Sequence, residues 1–311
     1  LAGLAAATRL ASDNVPFLLL EASDDVGGRV RTDLVDGFLL DRGFQIFITA
    51  YPEARRLLDY QSLNLRKFYS GAKVYYGGKF HTVADPLRHV SDSLKSLANP
   101  IGSVVDKLLI GLTRARSLTM SDDEIMTSDE VPVDQLLKGI GFSESIINRF
   151  FRPFFGGIFF DPDLGTSSRL FYFIFKCLAL GDNTLPERGI GAIPGQMVRK
   201  LPPGSVMLNS RVVSVEEEAR TVRLEDGVTI QAELGIIVAV EEPEVARILG
   251  GPVQWKPRPG RSTVCLYFSV DADRVPVGDP VLFINGSGEG IVNNMFFATN
   301  VAPSYGPQGK A

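Results

Sequence analysis

The sequence predicts an α/β fold, and three observations support that prediction. The chain begins with a run of alanine and leucine around Gly3, which favours a helix packed closely on a sheet. The apolar run Phe17–Leu20 ends at Glu21, in the manner of a short buried strand. Later in the chain, residues 206–215 alternate like a strand, and residues 234–240 form an apolar run typical of a buried strand.

The spacing at the start of the chain matches the end of a dinucleotide-binding βαβ unit. Gly3 is placed as the third glycine of a G-x-G-x-x-G turn whose first two glycines would precede Leu1. Glu21 follows 18 residues later, close to the roughly 20 expected between the turn and a ribose-binding acid. The helix N-terminus would offer free N–H groups and a partial positive charge to a pyrophosphate. An ordinary packing helix explains the small residues equally well, so Gly3 alone does not distinguish a dinucleotide-binding helix from a packing helix.

The loop after Glu21 adds a phosphate-binding pattern. Gly27 and Gly28 let the backbone approach a ligand closely, and Arg29 carries a planar, permanently charged fork suited to phosphate oxygens. The segment Asp36–Gln45 reads as a hairpin with a D-x-G turn. Together these motifs resemble the FAD-binding N-terminus of the flavin amine oxidase, protoporphyrinogen oxidase and phytoene desaturase superfamily. Within it, the chain is similar to the phytoene-desaturase-like, amine-oxidase-domain proteins of cyanobacteria and plastids, and the resemblance covers most of the chain.

The resemblance implies a Rossmann-like FAD/NAD(P)-binding domain interleaved with a mixed α+β substrate domain, and FAD rather than NAD as the cofactor. The FAD-binding domain, expected to be incomplete, would comprise residues 1–70 and 188–248. The substrate domain would comprise residues 71–187 and 249–311. By match to the family's motifs, the residues expected to contact FAD are Gly3, Glu21, Ala22, Gly28, Arg29, Arg42, Gly43, Gln45 and Val212.

The resemblance also sets an expectation about the ends of the chain. The family closes its flavin site with a C-terminal G-D turn before a final helix, and residues 301–311 show no such pattern. A chain truncated at both ends is therefore expected, and this puts its retention of FAD in doubt.

Composition is that of an ordinary globular protein and argues against several classes of function. Of 311 residues, 45% are hydrophobic and 22% charged, and the net charge of −4 comes without a long basic run, which disfavours nucleic acid as a partner. Cys177 and Cys265 form no disulfide framework or metal motif and fit a reducing compartment. His81 and His89 lack the spacing of metal ligands, so no metal is expected, and the sequence holds no serine-hydrolase or zinc motif.

Periodicity and turn residues predict further local elements. They are a helix after Tyr51-Pro52, hairpins at 73–83 and around 225–227, a helix at 133–147, a helix opened by residues 188–195 that runs to about Lys200, and strands at 263–269 and 281–284.

Residues 86–150 read as mainly helical, with an apolar stripe at three- and four-residue spacing. Base rates favour a helix that packs this stripe into its own domain. The alternative is an amphipathic surface that lies on a membrane, so peripheral membrane contact stays an expectation. No apolar run reaches the roughly 18 residues that a membrane span needs. The stripe consists of Leu94, Leu97, Ile101, Val104, Val105, Leu108, Leu109 and Leu112.

An aromatic block is the second informative feature. Ten of the 20 phenylalanines lie between Phe142 and Phe175. Core packing is the default role for any one ring. Because the density exceeds the needs of one helix face, and Gly156-Gly157 is expected to interrupt a helix, we interpret the block as the wall of a large apolar pocket.

These features predict an FAD-dependent oxidoreductase with a hydrophobic substrate. By resemblance, the substrate is carotenoid-like, the reaction is a desaturation or isomerisation by hydride chemistry at the flavin, and a plastid is the expected location. An amine or polyamine oxidase and a non-catalytic flavin-fold scaffold stay open as alternatives. Asp41 is expected to hold its turn rather than act as a base. No catalytic residue is assigned, since Asp161, Arg149 and Arg152 are more typical of structural ion pairs. Nothing in the sequence indicates the oligomeric state.

Overall fold

The computed structural model describes residues 1–43, 46–85, 88–89, 99–250 and 260–311. Gln45, one of the expected FAD contacts, lies outside the described residues, and so do Leu94 and Leu97 of the predicted stripe.

The described chain contains both helices and strands, with six consecutive helices between residues 104 and 180. The helices are α1 Ala2–Ser12, α2 Pro52–Leu57, α3 Tyr60–Leu63, α4 Val104–Thr119, α5 Asp122–Thr127, α6 Val133–Ile140, α7 Glu144–Ile146, α8 Arg152–Phe159, α9 Ser168–Leu180, α10 Ala192–Val198, α11 Glu242–Leu249 and α12 Ala298–Val301, with a π-helical turn at Ile147–Phe151. The strands are β1 Leu19–Leu20, β2 Thr32–Val35, β3 Phe38–Asp41, β4 Phe47–Ile48, β5 Leu65–Lys67, β6 Gly71–Tyr76, β7 Lys79–Ala84, β8 Asn183–Pro186, β9 Val206–Met207, β10 Val212–Glu216, β11 Thr221–Leu224, β12 Thr229–Gln231, β13 Leu282–Asn285 and β14 Asn294–Met295.

The start of the chain packs against a later segment through a parallel strand pair. β1 pairs with β9, with Leu19 opposite Val206. α1 lies on this pair and buries Leu4 in a small apolar cluster. A Cβ at Gly3 would lie 3.2 Å from Cδ1 of Leu19 and 3.6 Å from Cβ of Ala239. Glycine at this position therefore lets the helix approach the strand closely, which is the role of the third glycine in a dinucleotide-binding turn.

A second sheet has the order β14-β13-β6-β7 and supports the helical layer. The predicted hairpin at 73–83 is confirmed as β6–β7, turning at Gly77 and Gly78, which both have positive φ. The predicted strand at 281–284 is confirmed as β13, which pairs in parallel with β6. β13 and β6 thus join two segments that are distant in sequence, while the domain boundaries stay a prediction.

Two predicted strands are wrong. Residues 234–240 and residues 263–269 contain no strand. The third strand predicted in this part of the chain, at residues 281–284, is present. An extended, apolar sequence becomes a strand only when a neighbour satisfies its backbone hydrogen bonds. Both stretches expose apolar side chains, among them Leu234 and Val264.

The glycine pair in the aromatic block does not interrupt a helix, contrary to the prediction. α8 continues through Gly156 and Gly157 to Phe159. A Cβ on Gly157 would lie 2.5 Å from Nδ2 of Asn294 and 2.9 Å from Nδ2 of Asn293. The glycine therefore serves close packing of α8 against β14, and this contact outweighs the low helix propensity of glycine.

The aromatic block forms the core of the helical layer rather than the wall of a pocket. Phe151, Phe155 and Phe171 are fully buried and contact one another, with ring centroids 4.8 to 6.3 Å apart. Phe142 is also buried, against Phe151. The high density of phenylalanine rings arises because several helices meet at one place. The sequence of one helix does not show that other helices pack against it.

The apolar stripe is split by the structure. Ile101 is fully buried and Leu109 packs against the main core, but four other residues of the stripe on α4 face outward. The expectation of a helix that buries this stripe is therefore wrong for Val104, Val105, Leu108 and Leu112. In the part of the chain that the structure describes, no helix combines the length and apolar character needed to cross a bilayer.

Candidate functional site

Glu21 stands at the end of β1, where the chain is held by the neighbouring segment. Its N–H donates to the carbonyl of Met207 at 2.9 Å, and its carbonyl accepts from the N–H of Ser210 at 2.8 Å. The N–H and hydroxyl of Ser23 both donate to Oε1 of Glu21, at 2.9 and 2.8 Å. Within the described ranges Oε2 has no hydrogen-bond donor, so it is available to a ligand hydroxyl.

The N-terminus of α1 points to the same place. Its first turn holds no acid, and the leading N–H groups of an α-helix have no partner within the helix, so they can bind a ligand or water. Glu21 and Arg29 both lie within electrostatic range of the helix start.

The two glycines of the loop have different surroundings. Gly27 has φ +109°, and a Cβ there would lie 2.5 Å from the carbonyl oxygen of Val30 and 2.7 Å from Cγ of Pro194. Gly28 has φ +63°, and a Cβ there would meet nothing within 4 Å. Gly27 is thus needed for packing against α10, whereas Gly28 faces open space beside Arg29.

Arg29 and Ala22 complete the loop. The guanidinium of Arg29 lies 3.3 Å from the carboxylate of Glu241, and both side chains are exposed. An exposed pair of this kind contributes little to stability, so its guanidinium can turn to a phosphate at small cost. Ala22 is half-buried directly after Glu21.

The β2–β3 hairpin carries the next predicted contacts. Its Asp36-Gly37 turn has positive φ at both residues. Arg42 donates from Nε and Nη2 to the two carboxylate oxygens of Asp33, at 2.9 and 3.1 Å, and this hydrogen-bonded pair lowers the pKa of Asp33. Gly43 has φ +72°, and a Cβ there would meet no described atom within 4 Å.

Asp41 anchors this hairpin and has the structural role expected of it. It is buried and accepts hydrogen bonds from the hydroxyl of Thr32 at 2.5 Å, the N–H of Ile190 at 2.9 Å and the hydroxyl of Tyr305 at 2.8 Å. The hydroxyl of Tyr267 donates to its carbonyl at 2.5 Å. Burial raises the pKa of the Asp41 carboxyl, which these hydrogen bonds only partly offset.

Val212 opens β10 and lies near the end of β1. It packs with Leu20 in a shared apolar cluster, so the structure brings it towards Glu21. Its carbonyl accepts from Nη2 of Arg247 at 3.1 Å. A role of its backbone towards an adenine ring stays a prediction.

The candidate acids and bases of the aromatic block have structural contacts. Asp161 is buried and its Oδ2 lies 2.8 Å from Arg261. Arg152 pairs with Asp134 at 2.8 Å, and the guanidinium of Arg149 lies 4.0 Å from the ring centroid of Tyr76. The structure therefore favours the interpretation of these residues as structural.

Sequence reasoning missed Tyr267 and Tyr305. Their partner Asp41 is 226 and 264 residues away in the chain. No local motif marks either tyrosine, so only the fold reveals them.

Comparison with known proteins gives a consistent result. The sequence matches the family described as flavin containing amine oxidoreductase over residues 1–311. It is 27% identical to the protein named coproporphyrinogen III oxidase of Mycobacterium tuberculosis, over 89% of this chain and 65% of that protein. The chain therefore spans about 65% of the length of the curated relatives that it matches.

Solved structures share the fold. An oxidoreductase from Methanosarcina mazei superposes with a TM-score of 0.71 at 17% identity, covering 100% of this chain and 75% of that one. Wild-type putrescine oxidase bound to putrescine gives a TM-score of 0.58 at 22% identity, over 79% of this chain and 57% of that one. The predicted α/β fold class is thus confirmed, and with the family match over its whole length, the chain belongs to the flavin-containing amine oxidoreductase family.

Proposed function

We propose that the chain carries the FAD-binding and substrate-binding parts of an FAD-dependent oxidoreductase that acts on a hydrophobic substrate. The observation that carries this proposal is the convergence of the start of α1, the Oε2 of Glu21, which has no donor among the described residues, and the open space at Gly28. Bound FAD would supply the chemistry by accepting a hydride from the substrate.

The residues present fit FAD, and each has a distinct role in holding it. Glu21 would accept hydrogen bonds from the ribose hydroxyls, because Ser23 occupies only one of its oxygens. The N–H groups at the start of α1 would bind the pyrophosphate, and Arg29 would add a charge-assisted contact. Gly28 leaves room that a side chain would fill.

The hairpin would position the flavin ring. Arg42 is held in one orientation by Asp33, and Gly43 follows it without a side chain. Asp41, at the end of β3, is hydrogen-bonded to Ile190 and Tyr305 and so fixes the position at which Arg42 begins. A backbone held from both sides would keep its orientation when the cofactor binds.

An apolar surface lies next to this hairpin and supports a hydrophobic substrate. Tyr267 is tied to the carbonyl of Asp41, directly before Arg42. On either side of Tyr267, the side chains of Leu266 and Phe268 are 59% and 81% exposed, and Val264 is 83% exposed. These three side chains are apolar, so they suit contact with a lipophilic molecule better than with an ammonium group.

Within this class, a carotenoid-like polyene is our first candidate. A porphyrinogen is the second, because the curated relatives at 27% identity are named coproporphyrinogen III oxidase. Both are large molecules that can lose a hydride to a flavin and thereby extend or form a conjugated system. A polyene substrate would fit the predicted plastid location.

The test is to purify the protein, add FAD and record the flavin absorbance before and after candidate substrates under anaerobic conditions. We expect bound flavin that is bleached by a polyene or a porphyrinogen and not by amines. Hydrogen peroxide release with an amine panel alone would favour an amine oxidase. Bound flavin that no candidate reduces would favour the scaffold, and a protein that stays colourless with excess FAD would reject the cofactor assignment.

A further inference from the structure

A cavity of about 270 Å³ lies between the loop after β1, the β2–β3 hairpin and α10. Three of the side chains that line it are arginines, namely Arg31, Arg188 and Arg199. None of the described residues around the cavity is an expected FAD contact. The cavity is therefore distinct from the proposed cofactor site, and nothing in the proposed flavin chemistry uses its arginines.

The walls of this cavity are held in place by contacts within the chain. The N–H of Gly191 donates to Oγ1 of Thr32 at 2.8 Å, which ties the start of α10 to the hairpin. Gly27 packs against the same helix, because a Cβ there would lie 2.7 Å from Cγ of Pro194. α10 presents Gly195 to the cavity, where a longer side chain would fill the space. The cavity is thus preorganised, which reduces the free-energy cost of binding a ligand.

Arg31 is oriented towards the cavity by an ion pair at its edge. Its side chain is 12% exposed, and Nη1 donates to Oδ1 of Asp24 at 2.7 Å, while Asp24 is 74% exposed. Among the described residues, Nε and Nη2 of Arg31 have no acceptor. A guanidinium has five N–H donors in a fixed planar arrangement, so Arg31 keeps donors for a ligand after it has bonded Asp24.

Arg188 and Arg199 are exposed, and neither pairs with a carboxylate in the part of the chain that the structure describes. Glu187, the neighbour of Arg188, pairs with Arg66 instead. Arg199 follows Gly195 by four residues, so the two positions share a helix face. Nη1 of Arg199 lies 3.5 Å from the place that a Cβ on Gly195 would occupy. The guanidinium of Arg199 is therefore folded back along the cavity wall.

The acids at the cavity do not balance the three arginines. Asp24 pairs with Arg31, and Asp25 lines the cavity with its Oδ1 accepting the N–H of Val26 at 2.8 Å. Two carboxylates thus accompany three guanidinium groups, which leaves an excess of positive charge. Like charges that line one concave site repel one another and concentrate anions there. An anionic ligand would relieve this repulsion.

We propose that this cavity binds a small organic dianion, either a phosphate monoester or a dicarboxylate. Guanidinium groups match the oxygens of both phosphate and carboxylate, and such charge-assisted hydrogen bonds are strong. Leu34 and Leu39 lie opposite each other in the hairpin and line the same cavity, so they would contact the apolar body of the ligand. Organic ligands usually occupy pockets of roughly 300–1,000 Å³, so a cavity of about 270 Å³ favours a small molecule.

Isothermal titration calorimetry of the purified protein, with and without excess FAD, tests the proposal. The probes share a benzene ring: phenyl phosphate carries a phosphate, phthalate carries two carboxylates, and benzyl alcohol carries no charge. We expect at least one anion to bind and benzyl alcohol not to bind, and the tighter anion identifies the ligand class. The double variant Arg188→Gln with Arg199→Gln should raise the Kd of that anion about tenfold or more, because charge-assisted hydrogen bonds are lost.

The matched control is Arg223→Gln with Arg274→Gln, which removes the same charge at two exposed arginines outside the cavity lining. It should leave anion binding unchanged, and circular dichroism should show all variants folded. Failure of both anions to bind would overturn the proposal, as would equal affinities in the Arg188 and Arg199 variant and the parent. Loss of anion binding in excess FAD would also overturn it, because the anion would then occupy the cofactor site. Anion binding by a protein that takes up no FAD would reject the cofactor assignment alone.

Discussion

The hydroxyl of Tyr305 donates a 2.8 Å hydrogen bond to Oδ2 of Asp41 across 264 residues of sequence. Both groups are buried, and Tyr305 is one of three donors that surround this carboxylate. The contact ties a late turn of the chain to the hairpin that carries Arg42 and Gly43. The geometry of the proposed flavin site therefore depends on a residue that no motif identifies.

Replacing Tyr305 with phenylalanine should destabilise the protein by about 1–3 kcal/mol at pH 7, because Oδ2 of Asp41 is left buried without a donor. Since the folded-state pKa of Asp41 is raised by burial, its carboxyl contributes most stability below its unfolded pKa and loses that contribution as pH rises through the folded value. The cost of Tyr305→Phe should therefore be smaller at pH 4 than at pH 7. Urea unfolding at both pH values measures it.

The control for this variant is Tyr75→Phe, at a partly exposed tyrosine for which the structure gives ring contacts only. It should change the free energy of unfolding by less than about 0.5 kcal/mol. An equal effect of the two variants, or an effect of Tyr305→Phe that does not vary with pH, would contradict our account of Asp41.

The two loop glycines should respond differently to alanine. Gly27→Ala should lower stability by about 1–3 kcal/mol, since its Cβ would overlap the carbonyl of Val30 and the ring of Pro194. Gly28→Ala should cost only the roughly 1 kcal/mol of a left-handed conformation, because nothing lies near its Cβ. Its main effect should be on FAD binding, with a Kd raised about tenfold. Thermal unfolding and flavin titration separate these outcomes, and a reversed pattern would contradict the assignment.

Glu21→Gln tests the ribose contact. The carboxylate should bind the ribose hydroxyls more strongly than an amide does, so we expect the Kd for FAD to rise about tenfold with little change in stability. Glu53→Gln is the matched control, because the exposed Glu53 pairs with the nearby Arg56, three residues later on the same helix. Flavin fluorescence titration measures both, and equal affinities in the two variants would remove Glu21 from the proposed site.

The features that the sequence predicts well are those set by a few neighbouring residues. The Gly77-Gly78 turn forms a β-hairpin regardless of which sheet its two strands join. Glu21 follows β1 at the expected distance from Gly3. The direction of a helical face is different, because it depends on what the rest of the fold offers. Leu108 and Leu112 of α4 face outward while Ser143 holds Asp106 inside, and that pairing cannot be read from either local sequence.

Some residues of the candidate site can be predicted from local sequence and others cannot. Gly28 and Arg29 belong to a short motif, whereas Tyr267 comes close to the hairpin only in the folded chain. The predicted strand around Tyr267 is absent, because strand formation needs a partner that local propensity cannot supply. The sequence favours a pocket wall for Phe151 and its neighbours, and this prediction fails for a similar reason, since ring density does not tell which elements enclose the rings.

Phe268→Ser tests the apolar surface beside the hairpin. If this surface binds the substrate, the variant should raise KM for a lipophilic substrate about tenfold and change kcat much less, because uniform binding is lost. Flavin content should be unchanged, since the Phe268 side chain is 81% exposed. Ile291→Ser, at another exposed apolar residue, is the control. Steady-state kinetics on the substrate that bleaches the flavin measures the effect, and equal KM values would place the substrate elsewhere.

Asp106 should show the opposite pH dependence from Asp41. Burial acts to raise the pKa of Asp106, but the hydrogen bonds from Ser143 and Ser103 outweigh it and hold the pKa below its usual value. Its contribution to stability is therefore present above the unfolded pKa and lost as pH falls through the folded one. Asp106→Asn should cost about 1–3 kcal/mol at pH 7 and less at pH 3, because an amide cannot accept on both sides. Urea unfolding of this variant, with the exposed Asp123→Asn as control, decides the point: a cost that grows towards acid pH would mean that burial, not hydrogen bonding, dominates at Asp106.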